Sequence, residues 1–242
     1  MKTFAFIPAR YASTRFPGKP LAPIAGKPMI QHVYERALAC PELEGVYVAT
    51  DDERISASVQ EFGGKVIMTG KDHRSGTDRI SEAARSVGLK HDDLIINIQG
   101  DQPLFHPSIV TQLIKPFEED PSILMATLKC RIRDGEDMGN LNHVKVVTDN
   151  QGFAIYFSRL PIPFHRDGET GKVYYKHLGF YAFRMDFLQE FTRLPQGVLE
   201  SAEKLEQLRA LEHGFKIKVT ETTFDSIEVD VPDDVRKVEA LL

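Results

Sequence analysis

Side chains suited to phosphate binding are concentrated in one short stretch near the start of the chain. The stretch contains three cations, two hydroxyl side chains and a glycine: Arg10, Arg15, Lys19, Ser13, Thr14 and Gly18. Cationic side chains, together with backbone N–H groups that small residues leave accessible, suit a polyphosphate. A solvated basic turn is the alternative. The preceding apolar run at residues 3–7 favours phosphate binding, because ligands of open α/β sheets bind where strands end.

The stretch does not match the common nucleotide-binding motifs. The pair Gly18-Lys19 has no glycine five residues earlier, and Pro20 stands where a P-loop carries the Ser or Thr that contacts magnesium. No G-x-G-x-x-G motif follows a predicted strand, which argues against a Rossmann dinucleotide site. We therefore expect a phosphate loop of another type.

Two aspartates far apart in the sequence each follow a predicted strand. Asp101 comes after the apolar run 94–98, and Asp230 follows the run 227–229. Each alone is more often a turn or helix-cap residue. If their strands are neighbours, the two carboxylates face the phosphate loop and offer the hard oxygen ligands that Mg²⁺ prefers. Asp101 and Asp230 are thus the predicted metal ligands.

A second polar group lies in the later half of the chain. Its members are Arg159, Arg166, His177, Tyr181, Glu206 and Gln207. The two arginines flank a proline-containing loop and could hold a carboxylate through forked hydrogen bonds, or could form surface ion pairs. Glu206 and Gln207 fall within a predicted amphipathic helix at 199–213, where they could simply belong to its solvated face.

Other kinds of chemistry find little support. The eight histidines form neither H-E-x-x-H nor a cluster with cysteine, which argues against a zinc site. No G-x-S-x-G motif is present, and the serines near histidines are too scattered to suggest an acyl-transfer triad. The residue types favour electrostatic over covalent catalysis.

Composition limits the class of protein. The chain has 242 residues and a net charge of −5, which argues against nucleic acid as a partner. Cys40 and Cys130 lack C-x-x-C spacing, so we expect reduced thiols in the cytoplasm. No signal-peptide pattern opens the sequence and no apolar stretch approaches membrane-spanning length, so no membrane association is expected.

The elements that must position these residues alternate in type along the first half. Predicted strands at 3–7, 46–50, 65–68, 94–98 and 124–128 alternate with predicted helices at 29–38, 55–62, 78–87 and 107–117. This alternation predicts a three-layer α/β/α sandwich.

The regular alternation of predicted strands and helices ends near residue 130. Strands are predicted at 144–148, 153–157, 175–183, 217–219 and 227–229, and helices at 185–194, 199–213 and 232–242. The segment 149–152 between the first two strands is typical of a hairpin turn. No linker or repeat interrupts the chain, so we predict one domain over 1–242 with an antiparallel elaboration at about 130–200.

Motifs along almost the whole chain resemble one family. They are Ile7–Leu21, Val48–Asp51, Ser75–Arg79, Asn97–Asp101, Tyr156–Arg159, Lys176–Gly179, Leu205–Arg209 and Val229-Asp230 followed by Pro232. Together they are similar to the 3-deoxy-manno-octulosonate cytidylyltransferases, the CMP-Kdo synthetase family. The resemblance implies a nucleotide-diphospho-sugar transferase fold with a mixed, mostly parallel sheet. It also implies transfer of CMP from CTP to the anomeric hydroxyl of Kdo (3-deoxy-D-manno-octulosonate), an acidic eight-carbon sugar.

The same resemblance implies residue roles and context. Lys19, Arg15, Asp101 and Asp230 would be catalytic, and the two aspartates would hold Mg²⁺. Arg10 would bind the CTP phosphates with Arg15 and Lys19, whereas Ala9, Ser75, Gly76 and Gln99 would hold the cytidine. The sugar acid would contact Arg159, Arg166, His177, Tyr181, Glu206 and Gln207. The resemblance also implies a homodimer in the bacterial cytoplasm. Its reaction would take place before lipopolysaccharide assembly.

The sequence departs from the family pattern at two positions, and three alternatives to the implied function remain open. Gln102 stands where many members carry Glu, and Lys176 stands where Arg is frequent. Members of the family act on 8-amino-3,8-dideoxy-manno-octulosonate, so that sugar is an alternative acceptor. A sialic acid is another. A non-catalytic sugar-nucleotide sensor is disfavoured, because Lys19 and both candidate metal carboxylates are present.

Overall fold

The structure is a computed structural model that describes residues 1–12, 15–132, 138–166 and 173–242. Ser13 and Thr14 of the expected phosphate loop lie outside the described residues. The strands are β1 (Thr3–Ala9), β2 (Pro23–Ile24), β3 (Lys27–Pro28), β4 (Gly45–Thr50), β5 (Val66–Met68), β6 (Leu94–Asn97), β7 (Met125–Arg131), β8 (Lys145–Thr148), β9 (Ala154–Ser158), β10 (Tyr175–Arg184) and β11 (Lys218–Thr222). The helices are α1 (Met29–Leu38), α2 (Glu53–Glu61), α3 (Gly76–Ser86), α4 (Ser108–Glu119), α5 (Met185–Phe191), α6 (Val198–Glu203), α7 (Leu208–Glu212) and α8 (Pro232–Glu239).

The central sheet is mixed. Its main order is β11-β7-β10-β6-β1-β4-β5, and the strands from β6 to β5 are parallel neighbours. β10 runs antiparallel between β6 and β7, and β11 is parallel to β7. The β8–β9 hairpin joins through antiparallel pairing of β8 with β10. The predicted mostly parallel sheet with antiparallel additions is confirmed.

Helices cover both faces of this sheet. Successive side chains of a strand point to opposite faces, and β1 shows the consequence. Ala5 and Ile7 pack in a cluster with apolar residues of α1, α2 and α4. Phe6 packs in the opposite cluster with residues of α3, α5 and α7. The two buried clusters give the three-layer α/β/α arrangement expected from the alternation of elements.

The predicted single helix at 199–213 is wrong. The structure has two short helices, α6 and α7, and the chain leaves α6 at Lys204 with a left-handed φ of 55°. The carboxylate of Glu212 in α7 accepts hydrogen bonds from the N–H groups of Leu199 and Glu200 at the start of α6. That cap requires the two helices to fold back on each other, so a continuous helix is impossible.

The predicted strand at 227–229 is also wrong. The segment belongs to neither sheet formed by the described residues. Its anchor is a backbone hydrogen bond of 2.9 Å from Val229 N to Asp101 O. The short β2–β3 pair and the 3₁₀ turn Lys19–Leu21 were not predicted.

A helix that crosses a bilayer must be both long enough and apolar enough to span the hydrocarbon core. Within the described ranges, no helix meets both requirements.

Candidate active site

The loops that carry the predicted site residues leave the sheet at one edge. β1 and β6 are parallel neighbours, so the loops after Ala9 and Asn97 begin side by side. The second loop approaches β1 closely at Gly100, where a Cβ would lie 2.9 Å from the carbonyl oxygen of Pro8. Because glycine lacks a Cβ, it permits this approach and brings Asp101 against the first loop.

Lys19 lies between the two predicted metal carboxylates. Its Nζ is 2.7 Å from Asp101 Oδ2 and 3.7 Å from Asp230 Oδ1. Arg15 adds a second cation, 3.1 Å from Asp230 Oδ2. The four residues predicted to be catalytic therefore form one cluster, although more than 120 residues of sequence separate Asp101 from Asp230.

A cavity of about 270 Å³ opens beside this cluster. All the residues predicted to hold the nucleotide line it: Ala9, Arg10, Arg15, Lys19, Ser75, Gly76 and Gln99. α3 starts at its wall, where Ser75 and Asp78 form a capping box. The N-terminal end of a helix attracts anions through its free N–H groups and its dipole. The cavity therefore combines three loop cations with a helix N-terminus.

Arg79 is a site residue for which the sequence predicted no role. It lines the same cavity, yet it is almost completely buried. Its guanidinium donates a hydrogen bond of 2.6 Å to Thr69 Oγ1 and lies 3.3 Å from Asp51 Oδ2. The signal in the sequence was its place in the first turn of α3, four residues after the cap Ser75.

A second cavity of about 370 Å³ shares a wall with the first. The shared residues are Arg15, Gly76, Gln99, Asp101 and Asp230. Five of the six residues predicted to contact the sugar line this second cavity: Arg159, His177, Tyr181, Glu206 and Gln207. The sixth, Arg166, is exposed and lines neither cavity.

Backbone carbonyl groups orient the guanidinium of Arg159. Its Nε donates to the carbonyl oxygen of Glu203 at 2.7 Å, and one terminal nitrogen donates to that of Leu141 at 2.9 Å. Carbonyl groups carry no net charge, so these contacts leave the positive charge of Arg159 available to an anion. Lys204 lines the same cavity.

His177 and Tyr181 are buried in uncharged forms. His177 Nε2 is hydrogen-bonded to Thr127 Oγ1 at 2.9 Å, and burial lowers the pKa of His177 to about 3. Burial raises the pKa of Tyr181 well above its ordinary value, and the nearby carboxylates of Glu206 and Glu228 add to the effect. Near neutral pH both side chains therefore act as neutral hydrogen-bonding groups.

Glu206 and Gln207 occupy the turn between α6 and α7. The carboxylate of Glu206 accepts a short hydrogen bond from the Thr77 hydroxyl, and burial raises its pKa. Gln207 is buried, so the possibility that these residues belong to a solvated helix face is wrong. Gln207 Nε2 and Asn97 Oδ1 are buried without hydrogen-bond partners, and both residues line the second cavity. Such atoms need a polar ligand or water.

Glu228 is a second residue missed at the sequence level. It lines the second cavity and accepts a hydrogen bond of 3.1 Å from Gln102 Nε2. Loss of hydration and the negative charges of Asp101 and Asp230 raise the pKa of Glu228 to about 7. The sequence offered one indication of this role, because Glu228 lies two residues before Asp230.

Lys176, the other departure from the family pattern, is paired with Asp225 at 2.8 Å.

Comparison with solved structures places this architecture in a known class. The chain superimposes on 4-diphosphocytidyl-2C-methyl-D-erythritol synthase with a TM-score of 0.65 and 13% sequence identity, covering 100% of this chain and 99% of that one. It superimposes on a cytidylyltransferase from Leptospira borgpetersenii with a TM-score of 0.66 and 18% identity, covering 99% and 86%. At these identities the likeness shows a shared fold.

Sequence comparison identifies the family. A family model described as cytidylyltransferase matches residues 4–217, so this chain belongs to the cytidylyltransferase family and is a nucleotidyltransferase. A protein from Shewanella sp. strain ANA-3 named 8-amino-3,8-dideoxy-manno-octulosonate cytidylyltransferase is 58% identical, covering 100% of this chain and 99% of that protein. A structure of CMP:2-keto-3-deoxy-manno-octonic acid synthetase complexed with CTP has 47% identity and a TM-score of 0.93, covering 100% and 98%.

Proposed function

We propose that this protein transfers CMP from CTP to the anomeric hydroxyl of an eight-carbon 3-deoxy-2-keto sugar acid and releases diphosphate. The observation that carries the proposal is the cluster of Lys19 with Asp101 and Asp230, because both aspartates belong to the wall common to the two cavities. An attacking hydroxyl and an α-phosphate brought together at that wall would react within one complex. The names of the similar proteins support both substrates.

The charged residues of the two cavities support the placement of one substrate in each. CTP would occupy the first, where Arg10, Arg15 and Lys19 meet its phosphates and neutralise the charge that develops on the diphosphate leaving group. The sugar acid would occupy the second, where Arg159 meets its carboxylate. Fixing both reactants at a common wall converts an encounter in solution into a reaction within one complex.

The two carboxylates beside Lys19 also suit Mg²⁺. The described ranges contain no group of three or more His, Cys, Asp or Glu residues arranged for a metal, and Mg²⁺ commonly binds through one or two carboxylates plus phosphate oxygens. The close contact of Lys19 with Asp101 and Asp230 marks a point that attracts positive charge. When bound there, Mg²⁺ would supply the Lewis acid that lowers the pKa of the attacking hydroxyl.

We favour the 8-amino sugar as the acceptor over Kdo itself. The full-length relatives at 57–58% identity are named for the 8-amino sugar, whereas the structure named for the 3-deoxy-manno-octonic acid has 47% identity. The test is diphosphate release with CTP and Mg²⁺ on three acceptors: Kdo, its 8-amino analogue and a sialic acid. We expect the highest kcat/KM with the 8-amino sugar. A higher kcat/KM with Kdo would make Kdo the preferred acceptor. The absence of diphosphate release with all three acceptors would support the non-catalytic sensor.

Oligomeric state and location form part of the same proposal. The elaboration exposes large apolar side chains at Ile155, Leu160 and Phe164, which support a homodimer formed through this region. Cys40 and Cys130 are buried cysteines, which supports a reducing cytoplasm, where the product would serve lipopolysaccharide assembly. Light scattering after size-exclusion chromatography tests the dimer, and a monomeric mass at micromolar concentration would refute it.

A further inference from the structure

The first turn of α3 contacts both cavities. Ser75 and Gly76 line the first cavity, and Gly76 and Thr77 line the second. The turn also lies directly on the end of β1, because a Cβ at Gly76 would come within 3.0 Å of Pro8 Cγ. Pro8 is itself part of the first cavity. A ligand pressed against this turn from one side therefore restrains the residues on the other.

Thr77 is the residue through which such a restraint reaches the second cavity. It is fully buried, and its hydroxyl contacts the carboxylate of Glu206, which is 129 residues away in sequence. Asn97 Nδ2 lies 3.5 Å from the same hydroxyl oxygen. Because an amide nitrogen can only donate, the oxygen of Thr77 accepts from Asn97 and its proton points to Glu206.

This direction of donation determines what Glu206 offers to a ligand. The hydrogen bond from Thr77 engages Oε1 of Glu206. The same residue lines the second cavity, where its carboxylate can accept a hydrogen bond from a sugar hydroxyl. Glu206 is carried by the turn between α6 and α7, so its contact with Thr77 connects that turn to α3 and, through Asn97, to β6. The orientation of Glu206 thus depends on a residue outside its own segment.

We propose that Thr77 is a positioning residue that couples the two pockets: a nucleotide held against the first turn of α3 fixes Thr77, which holds Glu206 ready for the acceptor. The inference rests on the proposed function, because it takes the second cavity as the acceptor site. Coupling between sites is reciprocal, so the acceptor must raise affinity for the nucleotide by the same factor. Factors of about 5 to 150 are typical of such coupling.

The experiment compares Thr77→Val, which removes the hydroxyl and nearly preserves the shape, with Thr77→Ser, which keeps it. Acceptor affinity is measured by calorimetry with and without a non-hydrolysable CTP analogue, alongside steady-state kinetics. For Thr77→Val we expect acceptor KM to rise about tenfold, kcat to change less than about twofold, and the coupling factor to approach one. CTP affinity measured without acceptor should be unchanged. Thr77→Ser should recover both acceptor KM and coupling.

Thr111→Val is a matched control, since Thr111 makes an analogous hydrogen bond to Glu42 away from the site. It should leave all these quantities unchanged. If Thr77→Val fails to fold, Thr77→Ala takes its place. Wild-type coupling in the hydroxyl-free variant, or a Thr77→Ser protein as impaired as Thr77→Val, would overturn the proposal while the enzyme remains active. A wild-type protein that releases no diphosphate with any acceptor would refute the proposed function and the coupling together.

Discussion

Val229 donates its backbone N–H to the carbonyl oxygen of Asp101 over 2.9 Å. This one bond fixes the register between two segments that are far apart in the chain, and the next residue after Val229 is Asp230. Both carboxylates consequently reach the same ammonium group, that of Lys19. The geometry of the proposed reaction centre therefore depends on a backbone contact as much as on the side chains.

Neutralising either aspartate should abolish most turnover. For Asp101→Asn and Asp230→Asn we expect kcat to fall by about 10²- to 10³-fold, because an amide is a far weaker Mg²⁺ ligand than a carboxylate. Calorimetry of Mg²⁺ with CTP present should show weakened metal binding. Chelation of the metal by EDTA should stop the wild-type reaction reversibly. Asp120→Asn, which alters an exposed turn aspartate, is the control, and equal activity of all three variants would exclude the metal role.

Removing the ammonium group between these aspartates should lower kcat with the fold intact. We expect Lys19→Ala to lose about 10²-fold in kcat, because the leaving diphosphate loses a fixed positive charge. Circular dichroism should match that of the wild type. Lys27→Ala is the matched control, since Lys27 pairs with Glu35 on the surface. Unaltered kinetics in Lys19→Ala alongside normal CTP binding would contradict the phosphate role.

Burial of His177 makes stability depend on pH. Its pKa is about 3 in the folded protein against 6.5 for an exposed histidine, so the unfolded state binds the extra proton between these values. The contribution of neutral His177 to the free energy of unfolding is therefore complete above pH 6.5. It is lost as the pH falls towards 3. Between pH 7.5 and 5.5 the loss is about 1.4 kcal/mol.

Urea unfolding at these two pH values tests the assignment. We expect the difference in free energy of unfolding to shrink in His177→Gln, which cannot be protonated. His213→Gln, which alters an exposed histidine, should keep the wild-type difference. A His177→Gln protein with the same pH dependence as the wild type would show that other groups dominate.

An ion pair supports the turn between α6 and α7. Removing one partner of this pair should lower the free energy of unfolding. Arg209 donates to both carboxylate oxygens of Glu200, at 2.8 and 2.6 Å, and both residues are buried. Arg209→Met would leave a buried carboxylate unpaired, at a cost of about 3–5 kcal/mol in the free energy of unfolding. Adding Glu200→Gln should recover part of the loss. Lys115→Met, at an exposed pair, should change stability by less than about 0.5 kcal/mol.

Local periodicity was enough to predict most of the fold. Apolar runs located the central strands, and helical spacing located α1 to within a residue of its observed bounds. The cationic loop and Asp101 were predicted to meet because strand ends in a parallel sheet share an edge. That rule needs only the order of elements, which the sequence supplies.

What failed depended on contacts between distant residues. The helix break at Lys204 follows from a cap that Glu212 supplies to the start of α6 after the chain has turned back. Helical periodicity in the sequence carries no information about such a cap. The segment at 227–229 has the apolar pattern of a strand, but its Val229 N–H bonds to the loop carbonyl of Asp101 and the segment joins neither sheet of the described residues. Thr77 and Glu228 gained roles only through partners 129 and 126 residues away.

The wall common to the two cavities has a practical consequence for inhibitor design. Because the same residues line both compartments, one molecule could carry a nucleoside head into the smaller and a polyhydroxy acid into the larger. Tethering turns the second binding event into an intramolecular one, and its gain is governed by how well the linker matches the span. A short, stiff bridge between the two heads should therefore bind more tightly than a long, floppy one.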